Sequence, residues 1–153
     1  MIQKKHNPKH HFNQLKETSV AKKTHLRVLV AEDDDEMRKL LLETLRAEGY
    51  EVVECRDGAD FLLQLQSFIV NTRSMDFDVI ISDIIMPGLT GLEILEDLHE
   101  CKGFPPMILI TAFGDKGTRA RAIKSGAAAI IDKPFEIDDL LAKIREIVSP
   151  QSH

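Results

Sequence analysis

The chain carries little that would staple it covalently or hold it in lipid. Tryptophan is absent, and only two of the 153 residues are cysteine. Cys55 and Cys101 have neither metal-ligand spacing nor a disulfide framework, so both are expected to be free thiols in a reducing cytoplasm. No apolar run approaches the roughly 18 residues of a bilayer-spanning helix, so membrane insertion is not expected. Lys4 and Lys5 have no apolar segment behind them, which argues against a secretory signal. Phe12 is the only aromatic residue among the first 25, so that stretch offers no stacking platform for nucleic acid.

What is present suits one ordinary globular domain, with 43% hydrophobic and 29% charged residues. The charge is unevenly divided. Residues 1–25 hold six lysines against Glu17, a net +5, so the remainder carries −10 of the total −5. His6, His10, His11 and His25 also fall there. With few apolar residues and no sustained period, 1–25 reads as a basic, flexible tail. Such a tail can touch nucleic acid, membrane or an acidic partner, or be only a solvated extension.

From residue 26 onward, strand-like and helix-like segments alternate. Leu26–Ala31, Tyr50–Cys55, Phe77–Ser82, Met107–Thr111 and Ala128–Ile131 read as strands. Helices are expected over Glu36–Glu48, Asp57 to about Val70, Gly91–Glu100, Gly114–Ser125 and Glu136–Val148. In the first of these, Met37, Leu40, Leu41, Thr44 and Leu45 are expected on the core face. In the second, Phe61, Leu62, Leu63, Leu65, Phe68 and Ile69 form an apolar band read mainly as core, with a partner-binding face as the lesser reading. Asn71–Asp76 reads as a polar loop. In the closing helix, Ile137, Leu140, Leu141, Ile144, Ile147 and Val148 make a continuous stripe. Five strands alternating with five helices argue for a parallel sheet covered on both faces and doubly wound by right-handed crossovers. Ligands of such sheets bind at the carboxyl ends of the strands, where the strand order reverses.

Those ends are polar. Glu32 and Asp33 follow the first strand, Asp83 the third, Thr111 the fourth and Lys133 the fifth. Asp83 sits in the run IISDIIMPGLTG, where a carboxylate interrupts a buried strand and needs a partner. Crowded carboxylates repel, so one pKa should rise unless a cation intervenes. Hard oxygen ligands with room for water suit Mg²⁺. A lysine and a hydroxyl beside them suit a phosphoryl group, with Asp83 placed as nucleophile.

Four segments carry a family resemblance: VLVAEDDDEMRKLL (Val28–Leu41), DVIISDIIMPGLTGLEIL (Asp78–Leu95), LITAFGD (Leu109–Asp115) and GAAAIIDKPF (Gly126–Phe135). Together they resemble the receiver domain of two-component response regulators, over about residues 26–148, with 149–153 as a short C-terminal tail. The resemblance implies a flavodoxin-like α/β fold with strand order 2-1-3-4-5. It implies Asp83 as phosphoryl acceptor, Thr111 as switch hydroxyl and Lys133 as the lysine contacting a phosphoryl oxygen, ahead of a Lys133–Pro134 bond that is cis in much of the family. It implies Mg²⁺ held by Asp33 directly, Glu32 largely through water, Asp83 and the Ile85 backbone carbonyl. A histidine kinase or phosphotransfer protein would donate the phosphoryl group. Output, or homodimer formation, would use the face of the fourth helix, fifth strand and fifth helix.

Five positions depart from the pattern or qualify it. Asp34 and Asp35 extend the acidic run and read as a helix start. Ile130 stands where the family has a switch aromatic, and an isoleucine cannot swing an amphipathic ring. Ile85 and Phe113 are apolar where water would approach the phosphoryl group, which implies slow self-dephosphorylation.

Rival readings meet specific obstacles. Singly, Asp33 also reads as a helix cap, Thr111 as a strand-end hydroxyl and Lys133 as a snorkelling surface lysine. Together they would then form an acidic rim or pseudo-receiver adaptor acting by protein contact alone. An aspartyl-phosphate hydrolase wants a second carboxylate at position 85. A flavin or nucleotide module wants a glycine-rich loop where Ala31–Asp35 is acidic. No helix-turn-helix, ATPase or cyclase segment is visible, so direct nucleic-acid binding is not expected. A single-domain receiver and a receiver cut from a longer regulator both fit.

Overall fold

The computed structural model describes residues 25–71, 76–112 and 114–149. The basic tail up to residue 24, the loop interior 72–75, Phe113 and the last four residues lie outside the described residues.

Alternation in the sequence becomes alternation in space. The strands are β1 (Arg27–Ala31), β2 (Glu51–Cys55), β3 (Val79–Asp83), β4 (Met107–Thr111) and β5 (Ala129–Asp132). The helices are α1 (Asp35–Ala47), α2 (Gly58–Asn71), α3 (Gly91–Leu98), α4 (Lys116–Lys124) and α5 (Ile137–Val148). All the strand pairs are parallel, in the order β2-β1-β3-β4-β5. The expected architecture and strand order are therefore observed.

The central strands are buried along their whole length, VIISD in β3 and MILIT in β4. Alternate residues feed opposite cores, as the two-residue strand period requires. Leu29, Ile80, Met107 and Leu109 meet α2, α3 and α4 through Phe61, Leu65, Leu92, Leu95 and Ala122. Val28, Val30, Ile81, Ile108 and Ile110 meet α1 and α5 through Leu41, Leu45, Leu140, Leu141 and Ile144.

Element ends differ from expectation where a side chain claims the backbone. Asp34 caps α1 by accepting from the Met37 amide at 2.8 Å, which bears out the acidic helix start. Asp115 caps α4 in the same way through the Thr118 amide, so that helix begins after Gly114. The third strand opens later than Phe77 because the Asp78 carboxylate accepts from the Arg27 amide at 2.8 Å. The Lys133–Pro134 bond is cis, as the resemblance implied.

Two core assignments are corrected. Leu40 is 48% exposed, and α1 instead turns Arg38, Leu41, Leu42 and Leu45 inward. In α2, Phe61, Leu65 and Phe68 are core, but Leu62, Leu63 and Ile69 of the expected apolar band face solvent, as does Val70. The helix has one buried apolar side and one exposed apolar side. Among the described residues no helix is long and apolar enough to cross a membrane.

Candidate functional site

The parallel register carries the polar strand ends to one rim. Glu32 follows β1 and is 2% exposed; its amide donates to the Cys55 carbonyl at 3.1 Å, fastening it to the end of β2. Asp83 closes β3 at 8% exposure, and Thr111 closes β4 wholly buried. Lys133 leaves β5 with its amide donating to the Thr111 carbonyl at 2.8 Å.

Lys133 binds the acids together. Its Nζ donates to Glu32 Oε1 at 2.6 Å and to Asp83 Oδ2 at 2.8 Å. The other Asp83 oxygen, Oδ1, accepts from the Ile85 amide at 3.0 Å. A buried carboxylate is thus held at both oxygens by donors. Asp33 is exposed, yet Glu32, Asp33 and Asp83 each offer a carboxylate oxygen within 4.8 Å of the others. Lys133 is therefore no surface lysine, and the helix cap next to it is Asp34 rather than Asp33.

The electrostatics follow from crowding. Burial, then the hydrogen bond with Asp83, pushes the Glu32 carboxyl up to about 7 against the pull of Lys133. Burial works against the Lys133 charge, but hydrogen bonds to Asp83 and Glu32 outweigh it and leave its pKa raised. Glu32 Oε2 is buried with no partner among the described residues. Such an oxygen is costly where it stands, and a cation beside it would remove both the cost and the upward shift. The donor set, all carboxylate oxygen with one exposed member, fits a hard divalent ion that keeps water.

Two supports of the rim lay beyond sequence reasoning. Arg38, buried in α1, donates to the Glu32 carbonyl at 2.9 Å and to Asp35 Oδ1 at 2.5 Å, and pairs with Glu54 at 3.3 Å. Its signal was only an arginine three residues after an acid. The second support is steric. Ser82 Oγ donates to the Asp83 carbonyl at 2.9 Å. A β-carbon on Gly91 would overlap that serine and stand 2.7 Å from the same carbonyl. A β-carbon on Gly58 would stand 2.6 Å from the Leu89 amide nitrogen. The connection from β3 to α3 is thus pressed at both ends by glycines.

Ile85 is 57% exposed beside the acceptor, and Phe113 lies outside the described residues. Ile130 is half-buried against the α2–α3–α4 core, seated by packing with no ring to move.

A doubly wound parallel sheet with acids, a hydroxyl and a lysine at its carboxyl rim defines a class of α/β domains. The model of the response regulator receiver domain family matches residues 28–145, and the chain belongs to that family. Among curated relatives, the transcriptional regulatory protein TcrA of Mycobacterium tuberculosis is 30% identical over 122 residues, 80% of this chain and 46% of that protein. The C4-dicarboxylate transport transcriptional regulatory protein DctD of Pseudomonas aeruginosa is 37% identical over 119 residues, 77% of this chain and 24% of that protein. The chain thus spans half or less of the length of these relatives. Among solved structures, the receiver domain protein (CheY-like) of Methanospirillum hungatei superposes with a TM-score of 0.72 at 27% identity, covering 82% of this chain and 94% of that one. The chemotaxis protein CheY4 of Vibrio cholerae gives 0.67 at 29% identity, covering 81% and 99%. Receiver domains are signalling domains of two-component systems rather than enzymes in the ordinary sense, they engage histidine kinases and downstream effectors, and the family binds Mg²⁺ at an acidic pocket.

Proposed function

We propose that residues 26–148 accept a phosphoryl group on Asp83 from the phosphohistidine of a histidine kinase or phosphotransfer protein in the cytoplasm. One observation carries this reading: a nearly buried carboxylate held by Lys133 and the Ile85 amide, with two further acids alongside. An Asp83 oxygen attacks phosphorus in line, the bond from phosphorus to the donor nitrogen breaks, and an acyl phosphate forms. Lys133 then follows the charge, exchanging its bond with the carboxylate for one to a phosphoryl oxygen. Thr111, one strand away, donates its hydroxyl to the same group. Glu32, Asp33, Asp83 and the Ile85 carbonyl are the residues that would hold Mg²⁺. Bound there, the ion would offset charge gathering on the phosphoryl oxygens. Signal leaves through α4, β5 and α5, toward a downstream protein or a second copy, once new charge biases a two-state arrangement. Apolar Ile85 slows hydrolysis, and Ile85→Asn is expected to shorten the lifetime of the acyl phosphate.

The test is intact-mass spectrometry after incubation with a small phosphodonor and Mg²⁺, beside Asp83→Asn and a chelator control. One added phosphoryl group, missing from both controls, is expected. A folded wild-type chain that gains none is a pseudo-receiver, and the reading falls.

A further inference from the structure

Ile130 has no ring to couple Thr111 to the surface, yet the structure ties the same neighbourhood together by other means. Arg119, in α4, reaches back to the end of β5, where its guanidinium Nη2 donates to Asp132 Oδ1. Asp132 is the residue in register with Thr111 on the adjacent strand. Gly114 lies beside both Thr111 and Arg119. A β-carbon built on it would stand 3.1 Å from Thr111 Cγ2, 3.3 Å from Arg119 Nε and 3.6 Å from Arg119 Cζ. The space where a side chain at position 114 would stand is therefore bounded by the Arg119 guanidinium and the Thr111 methyl.

Among the described residues the other attachments of α4 are few and mostly polar. The helix buries Ala122 alone in the apolar core, and Asp115 caps it from an exposed position. Arg119 and Asp132 are themselves partly exposed, at 37% and 60% of their side chains. A pair of that kind contributes modestly and opens readily, which suits a contact that must be made and broken.

We infer that Arg119 and Asp132 are positioning residues, an ion-paired clasp that holds the backbone at Gly114 in place beside Thr111 and restrains the hydroxyl's approach to Asp83. This rests on the phosphoacceptor reading above. A Thr111 movement that carries the backbone at Gly114 with it meets the Arg119 guanidinium, which Asp132 holds in place. Opening the clasp raises the fraction of molecules competent to react, and a reactant drawing on that fraction reacts faster in proportion.

The experiment compares Arg119→Ala, Asp132→Ala, the double substitution and the exchanged pair Arg119→Asp/Asp132→Arg in the full chain. Phosphorylation rates are read by intact mass with a small phosphodonor and Mg²⁺. Backbone amide shifts of Thr111 and Gly114 are read without donor, then with beryllium trifluoride as phosphoryl mimic. Each single alanine variant is expected to react about two- to fivefold faster. The double variant should gain no more than either single one, because both remove the same contact, and the exchanged pair should return toward the slow rate. In the donor-free variants the two amides should shift toward their mimic-bound positions. Unchanged rates and amides, or independent and additive effects, overturn the clasp. If the wild type takes up no phosphoryl group, the phosphoacceptor reading fails by itself. The donor-free amides then decide: a common displacement in both single variants, undone in the exchanged pair, supports the clasp, and its absence refutes it.

Discussion

α2 and α4 cover the same face of the same sheet, yet they are attached in opposite ways. α2 sinks Phe61, Leu65 and Phe68 into the core. Each such side chain contributes about 1.5–3 kcal/mol of transfer free energy. α4 commits one methyl group, Ala122, and relies on polar pins: the Asp115 cap, the Arg119–Asp132 pair and Arg121 to Glu96 at 2.5 Å on α3. Apolar burial is non-directional and lost only by withdrawal, whereas an exposed ion pair can be exchanged for water at small cost. The contrast makes α2 a firmly seated wall and α4 a helix held mostly by contacts that exchange readily for water.

The largest effect expected from this contrast is on the wall. Phe61→Ala should cost about 3–5 kcal/mol of stability, read by urea unfolding, because it empties a wholly buried position. Ala122→Leu should cost only about 1–3 kcal/mol, at the low end, since a loosely seated helix can ride outward. Equal losses for the two would break the contrast.

The rim supplies an intermediate case through pH. Glu32 stands near 7 in the folded chain against an ordinary 4.5. Between these values the folded state holds a proton that the unfolded state has released, so metal-free stability should fall as pH rises through that window and level off above it. Unfolding curves for wild type and Glu32→Gln at about pH 5 and about pH 8 isolate the effect; a slope shared by both assigns it to other groups. Added Mg²⁺ should stabilise the wild type more at the higher pH, where the site is ionised.

The smallest effect belongs to the outward side of α2. Leu63→Gln should change stability by less than about 0.5 kcal/mol, because that leucine is 66% exposed. A loss comparable to that at Phe61 would mean the outer surface is covered in solution.

The rim was legible because strand ends in a parallel sheet must converge, so polar residues closing apolar runs announce themselves. Glu32 and Lys133 lie 101 positions apart, yet both terminate strands and meet at 2.6 Å. α2 was only half legible. With apolar residues all round, its sequence has no preferred side, and only packing against β2 and α3 selects Phe61 and Leu65 over Leu62 and Leu63. Leu40 fails for a related reason: turning α1 by one position exchanges it for Leu42 and admits Arg38, whose acceptors come from the residue after β1, from β2 and from its own first turn. The Arg119–Asp132 pair left no trace, since any exposed arginine can answer any exposed acid.

The two glycine contacts around the β3–α3 connection carry a consequence for redesign. With Gly58 pressed on Leu89 and Gly91 on Ser82 and the Asp83 carbonyl, residues 84–90 form a cassette whose ends are clamped from outside. Ile84 and Met86 are its buried pegs, while Pro87 and Gly88 stand exposed at its tip. A reporter peptide or affinity handle grafted at that tip is expected to leave the acceptor in register, provided positions 58 and 91 stay glycine.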